Sequence, residues 1–77
     1  MNLNIKYFGM LTEVTQCNEE TIEFSEATVS DLLHQLFNKY PSLQHQNFQV
    51  AENQTLVNHN TTITNPDIAL LPPFAGG

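Results

Sequence analysis

The residues best placed to do chemistry are the last six, Pro72-Pro73-Phe74-Ala75-Gly76-Gly77. A domain end is usually polar and frays. Here no charged residue follows Asp67, and the chain closes on a stiff pair, an aromatic and two residues without side chains. Pro72-Pro73 favours extended polyproline II, so six residues at about 3.1 Å each would reach on the order of 18 Å. Gly76 and Gly77 carry no Cβ, and a terminal carboxylate behind them can enter a channel that any side chain would block. The expected geometry is an arm that delivers a carboxyl group into another protein's active site. A carboxylate is inert until activated. Once adenylated it is an acyl donor, and a sulfur source can then convert it to a thiocarboxylate. The sequence has no phosphate-binding loop, so ATP chemistry must come from a partner. Two glycines alone arise by chance, but after an apolar strand and Pro-Pro they form a specific signal.

The other reactive residue types suggest less. His34, His45 and His59 lack metal-ligand spacing and read as surface residues. Cys17 is the sole cysteine, so an internal disulfide and a C-x-x-C pair are both absent. No histidine pattern accompanies it, and a catalytic thiol is not expected. No bound cofactor or metal is expected. Asn53-Gln54-Thr55 and Asn60-Thr61-Thr62 fit the glycosylation pattern, yet a lone thiol fits a reducing cytoplasm, where that modification does not occur.

Charge narrows the partners. Eight acidic residues stand against Lys6 and Lys39, with no arginine, for a net charge of -6. Nucleic acids and anionic membranes both call for basic residues, so neither is an expected partner. A basic patch on a protein would attract this chain, although acidic residues spread along a sequence equally serve solubility. Residues 1–8 lack the apolar core of a signal peptide, and no run approaches the roughly 20 residues of a membrane span. The chain reads as soluble and cytoplasmic. Its 77 residues allow one small domain, with a thin core.

The elements that must position the tail follow from periodicity. Residues 3–8 alternate, with Leu3, Ile5 and Tyr7 facing one way and Asn4, Lys6 and Phe8 the other. Gly9 punctuates that strand. Residues 10–16 suggest a short helical turn with Met10, Leu11 and Val14 on one side, and residues 20–24 a second strand with Ile22 and Phe24 on one face. Val29, Leu32, Leu33, Leu36, Phe37 and Tyr40 fall at helical spacing and make one broad apolar stripe, a core face. Thr28 is the expected N-cap, with Asp31 completing a capping box, and Pro41 ends the helix. Residues 42–47 read as a loop, Phe48 and Val50 open a third strand, Asn53-Gln54 turn, and Leu56-Val57 form a short strand. Residues 61–64 extend briefly, and Asn65-Pro66-Asp67 turns. Ile68 to Leu71, apolar throughout, is expected inside the sheet. The order β, β, α, β, β, β is α+β: a mixed sheet on one main helix, over residues 1–71, followed by a flexible tail at 72–77.

The segment Leu70-Leu71-Pro72-Pro73-Phe74-Ala75-Gly76-Gly77 resembles the end of molybdopterin synthase small subunits, where an apolar strand runs into Pro-Pro-x-x-Gly-Gly. Ala51 to Val57 looks like that family's Asn-Gln strand-turn-strand, and Ala27-Thr28-Val29 its helix start. The likeness spans the whole chain and is most specific at the C-terminus. The thiamine-pathway sulfur carrier shares the Gly-Gly end and usually lacks Pro-Pro. The resemblance implies a β-grasp, ubiquitin-like fold and a sulfur carrier. A ubiquitin-activating-type enzyme would adenylate Gly77 with ATP, and a sulfur donor would make the thiocarboxylate. The tail would then enter the large subunit, in a heterotetramer, and pass sulfur to a pterin precursor of the molybdenum cofactor. Gly77 would carry the sulfur, Gly76 would ease insertion, and the catalytic side chains would belong to the large subunit. The absence of arginine departs from the family.

Phe8 and Leu71, with Leu56, are expected on the sheet face away from the helix, an apolar patch of the kind that marks an interface. With Pro72, Pro73, Phe74 and Ala75 they form the expected partner-binding set. The alternative is that residues 10–16 cover the patch as a second small core. A ubiquitin-like modifier and a plain interaction domain are the competing functional readings.

Overall fold

The computed structural model describes residues 1–73. Its elements run β1 (Asn2–Tyr7), α1 (Leu11–Thr15), β2 (Glu19–Glu23), α2 (Val29–Lys39), a 3-10 turn (Pro41–His45), β3 (Gln49–Glu52), β4 (Thr55–Val57) and β5 (Asp67–Leu71). The strands form one sheet in the order β2-β1-β5-β3-β4. β1 and β5 pair in parallel at its centre, and every other pairing is antiparallel. This is the expected β-grasp arrangement, with α2 following the first hairpin.

Alternation decides which face is covered. Leu3, Ile5 and Tyr7 of β1, Ile22 of β2, Val50 of β3 and Ile68 and Leu70 of β5 are buried in one core with Phe24. Val29, Leu32, Leu33 and Leu36 close that core from α2. Burying each such aliphatic side chain contributes about 1.5–3 kcal/mol. Packing of this kind, more than intrinsic propensity, holds an 11-residue helix. The helix start is built as the sequence suggests. Asp31 N–H donates to Thr28 Oγ1 at 3.3 Å, and Asp31 Oδ2 accepts from Thr28 N–H at 2.9 Å. Phe37 and Tyr40 lie only partly buried at the edge of the stripe.

Three local expectations are corrected. Met10 is not on the inner side of α1: it is 67% exposed, because the helix begins after it at Leu11 and turns Leu11 and Thr15 inward. Residues 42–47 are not a plain loop, since a 3-10 turn with Pro41 at its start drives Leu43 into the core. β3 begins at Gln49 rather than Phe48, whose ring packs edge-on against Phe37 at 6.3 Å. The Asn53-Gln54 turn is found, both residues having positive φ (49° and 68°), as a two-residue type I′ hairpin requires. The stretch at 61–64 makes one isolated bridge, Thr62 with Thr28, and buries Ile63.

Candidate functional site

The site begins where β5 stops. β5 lies between β1 and β3, so its backbone is fixed on both sides. Tyr7 pairs with Leu70, and Phe8 N–H donates to Leu70 O at 3.2 Å. Pro72 has no N–H to continue a ladder, and the strand ends one residue earlier, at Leu71. Pro72 and Pro73 are exposed. Phe74, Ala75, Gly76 and Gly77, which carry the expected chemistry, lie outside the described residues.

Beside this root, the sheet face opposite α2 is open. Register sets its composition: Leu56 lies opposite Ala51, Ala51 opposite Ala69, and Ala69 beside Lys6. Phe8 and Leu71 share the same face and line a shallow trough of about 430 Å³ with Leu56, Ala51 and Ala69. Asn4, Lys6, Asn53, Gln54 and Asp67 supply its polar lining. Phe8 is 44% and Leu56 51% exposed, while Leu71 is half-buried. Leu56, Phe8 and Leu71 thus meet on one surface that leads to the tail. The α1 segment does not cover it, because Leu11 and Val14 pack into the main core.

The strongest polar cluster sits on the other side of the sheet. Tyr7 and Tyr40 hydroxyls both donate to Glu20 Oε2, at 2.6 and 2.7 Å, and Lys39 Nζ donates to Glu20 Oε1. The two tyrosine rings meet edge to face at 6.2 Å. Burial alone would raise the Glu20 carboxyl, but hydrogen bonds from Lys39, Tyr40 and Tyr7 outweigh it and hold the group below its usual range. Burial, then the Glu20 hydrogen bond, pushes both phenols far above theirs. These groups clamp β2, β1 and the end of α2 together, away from the trough. Sequence reading passed over Glu20, although it shares the alternation of Ile22 and Phe24 and so had to face the core. Glu52 was also passed over. Its carboxylate accepts from Thr64 and Asn65 N–H at 2.7 and 2.9 Å, fixing the turn that launches β5.

Among the described residues no group of histidine, cysteine or acidic side chains could hold a metal ion, and no helix is long and apolar enough to cross a membrane. His34, His45 and His59 are exposed and Cys17 is half-buried. Cys17 Sγ–H lies 3.8 Å from Thr15 Oγ1, its acceptor.

A mixed five-stranded sheet grasping one helix defines a protein of the ubiquitin-like, β-grasp class. The chain belongs to the ThiS family, whose model matches residues 5–77. Its fold is similar to a Pyrococcus furiosus protein assigned as molybdopterin converting factor subunit 1 (TM-score 0.88, 20% identity, 96% of this chain and 99% of that one). It is also similar to SAMP1 from Haloferax volcanii (TM-score 0.81, 24% identity, all of both chains). A third likeness is to the Helicobacter pylori complex of subunits 1 and 2 of molybdopterin-converting factor (TM-score 0.68, 23% identity, all of both chains).

Proposed function

We propose that this chain is the small, sulfur-carrying subunit of molybdopterin synthase, with Gly77 as its reactive residue. The observation that carries the reading is the continuity of three features. An apolar open face bearing Phe8, Leu56 and Leu71 adjoins a central strand fixed on both sides. That strand is ended by Pro72-Pro73, and the sequence runs on to Gly76-Gly77. The face is suited to grip the large subunit while the arm enters its active site. Family membership and the fold shared with molybdopterin converting factor subunits support this reading.

In this reading the Gly77 carboxylate attacks the α-phosphate of ATP on a ubiquitin-activating-type enzyme, releasing pyrophosphate. A sulfur donor then displaces AMP, and one carboxylate oxygen is exchanged for sulfur. The chain contributes no acid or base to either step; it contributes a carboxyl group on a slim arm and a surface that recognises the partner. The large subunit supplies the catalytic side chains and the pterin precursor, in a cytoplasmic heterotetramer. No cofactor binds the carrier, and ATP is used by the activating partner.

A second reading, a ubiquitin-like protein modifier, draws on the end-to-end fold similarity to SAMP1. A thiamine-pathway-type carrier shares the activation step. The deciding measurement is the mass of the intact chain and its C-terminal peptide after incubation with the cognate activating enzyme, ATP and a sulfur donor. Exchange of oxygen for sulfur at Gly77, absent without ATP, is expected. An unmodified terminus overturns the carrier reading, and a terminus joined to a lysine favours the modifier. The peptide mass is needed because oxidation of Met1 or Met10 gives nearly the same change.

A further inference from the structure

The turn after β1 meets the root of the tail. Gly9 has φ +61°, and a Cβ built on it would lie 2.8 Å from Pro72 Cγ, closer than real Cβ contacts come. Gly9 cannot easily move away. Phe8 N–H is tied to Leu70 O, while Leu11 N–H donates to Phe8 O at 3.2 Å. Gly9 O accepts both Thr12 N–H at 3.2 Å and Thr12 Oγ1–H at 2.8 Å. On the other side Pro72 is held by its ring and by Leu71, the last rung of β5. The Pro72 ring therefore sits over the backbone of residue 9 just beyond the end of β5, and it can do so only because residue 9 has no side chain.

We infer that Gly9 is a positioning residue for the tail: it forms a seat for Pro72 that fixes the direction in which the C-terminal arm departs. This rests on the carrier reading above and extends it to a residue remote in sequence from Gly77. Two independent restrictions meet at position 9. Positive φ disfavours most side chains through backbone strain. The Pro72 contact disfavours every Cβ, including that of asparagine, which tolerates the left-handed region. Asparagine therefore separates the two effects. In Gly9→Asn the turn can persist while Pro72 must shift. A displaced exit misaims an arm that has to thread a narrow channel, and misplacements of about 1 Å can cost on the order of a hundredfold in rate.

The test compares wild type, Gly9→Asn, Pro72→Ala and the double variant. Three properties are measured: the melting temperature, the nuclear Overhauser contact between positions 9 and 72, and the kcat/KM of ATP-dependent loading by the cognate activating enzyme. Gly9→Asn is expected to melt within a few degrees of wild type, to lose the native contact pattern, and to load about ten- to a hundredfold less efficiently. Most of that loss should lie in KM, and because Pro72→Ala removes Cγ, the rescue expected is that the double variant loads no worse than Pro72→Ala alone, whatever that substitution costs by itself. A purely structural role would lower the melting temperature and would not be rescued at position 72. Loading of Gly9→Asn at the wild-type rate, or failure of the rescue, overturns the seat. If wild type itself is not loaded, the carrier reading fails. The seat is then judged by resonance data alone: an unmoved Pro72 in Gly9→Asn overturns it, and a displaced one supports it.

Discussion

Replacing Glu20 by alanine should destabilise the fold through one buried acceptor and leave the docking face alone. The Tyr7 residue is only 2% exposed, so without Glu20 its hydroxyl loses its acceptor with little water to replace it. Leaving a buried donor unpaired costs about 1–3 kcal/mol, and a hydrogen bond to a charged group is itself worth about 1.5–3 kcal/mol. Tyr40 is half-buried and can turn to water, so its share is smaller. Lys39 is 52% exposed, and an ion pair so placed adds at most about 1 kcal/mol. The sum expected for Glu20→Ala is about 2–4 kcal/mol, or a melting temperature lower by roughly 10–25 °C in a domain of this size. Thermal unfolding followed by circular dichroism measures it, with Lys39→Ala as the control that should lose no more than about 1 kcal/mol. The sign with pH follows from the same geometry. The folded carboxyl lies below its ordinary value of 4.5, so its contribution is complete above that value and is lost as pH falls through the folded pKa. Wild type should therefore lose stability below about pH 4.5 more steeply than Glu20→Ala. A loss under about 1 kcal/mol, or parallel acid profiles, would refute the clamp.

The other predictions concern the open face and the hairpin. On the proposed function, Phe8→Asp should raise the Kd for the large subunit by at least about thirtyfold while the melting temperature stays near wild type, because Phe8 is 44% exposed within the apolar patch. Isothermal titration reads the affinity, and an unchanged Kd would remove this face from the interface. Gln54→Gly should stabilise the domain by roughly 0.5–1 kcal/mol, since Gln54 sits at φ 68° in a turn that favours Asn-Gly. A higher urea midpoint with unchanged slope is the expected sign, and a lower midpoint would show that the Gln54 side chain itself holds the turn. Deleting Gly76 and Gly77 should abolish ATP-dependent loading without moving the melting temperature, as read by peptide mass and by calorimetry. Continued sulfur incorporation after the deletion would move the chemistry off the C-terminus.

Periodicity alone settled the layers of this protein. The alternation of Leu3, Ile5 and Tyr7, and the helical stripe from Val29 to Leu36, leave only one way to bury apolar surface: helix against sheet. Capping is equally local, so Thr28 and Asp31 were legible, as was the turn at Asn53-Gln54. The site was legible in part for the same reason. Parity along β1 and β5 puts Phe8 and Leu71 on the face away from α2, and Pro72-Pro73-x-x-Gly-Gly is a linear motif. Tertiary structure decided what depends on distant pairs. Met10 faces solvent and Leu43 enters the core because helix starts and 3-10 turns are set by the packing they meet. Glu20 could be placed inward by parity, but its donors come from β1 and from the far end of α2, 13 to 20 residues away. Gly9 reads in the sequence as punctuation after a strand. Only the parallel pairing of β1 with β5, strands at opposite ends of the chain, brings it against Pro72, because no local rule encodes which side chain will approach a residue from 63 positions away.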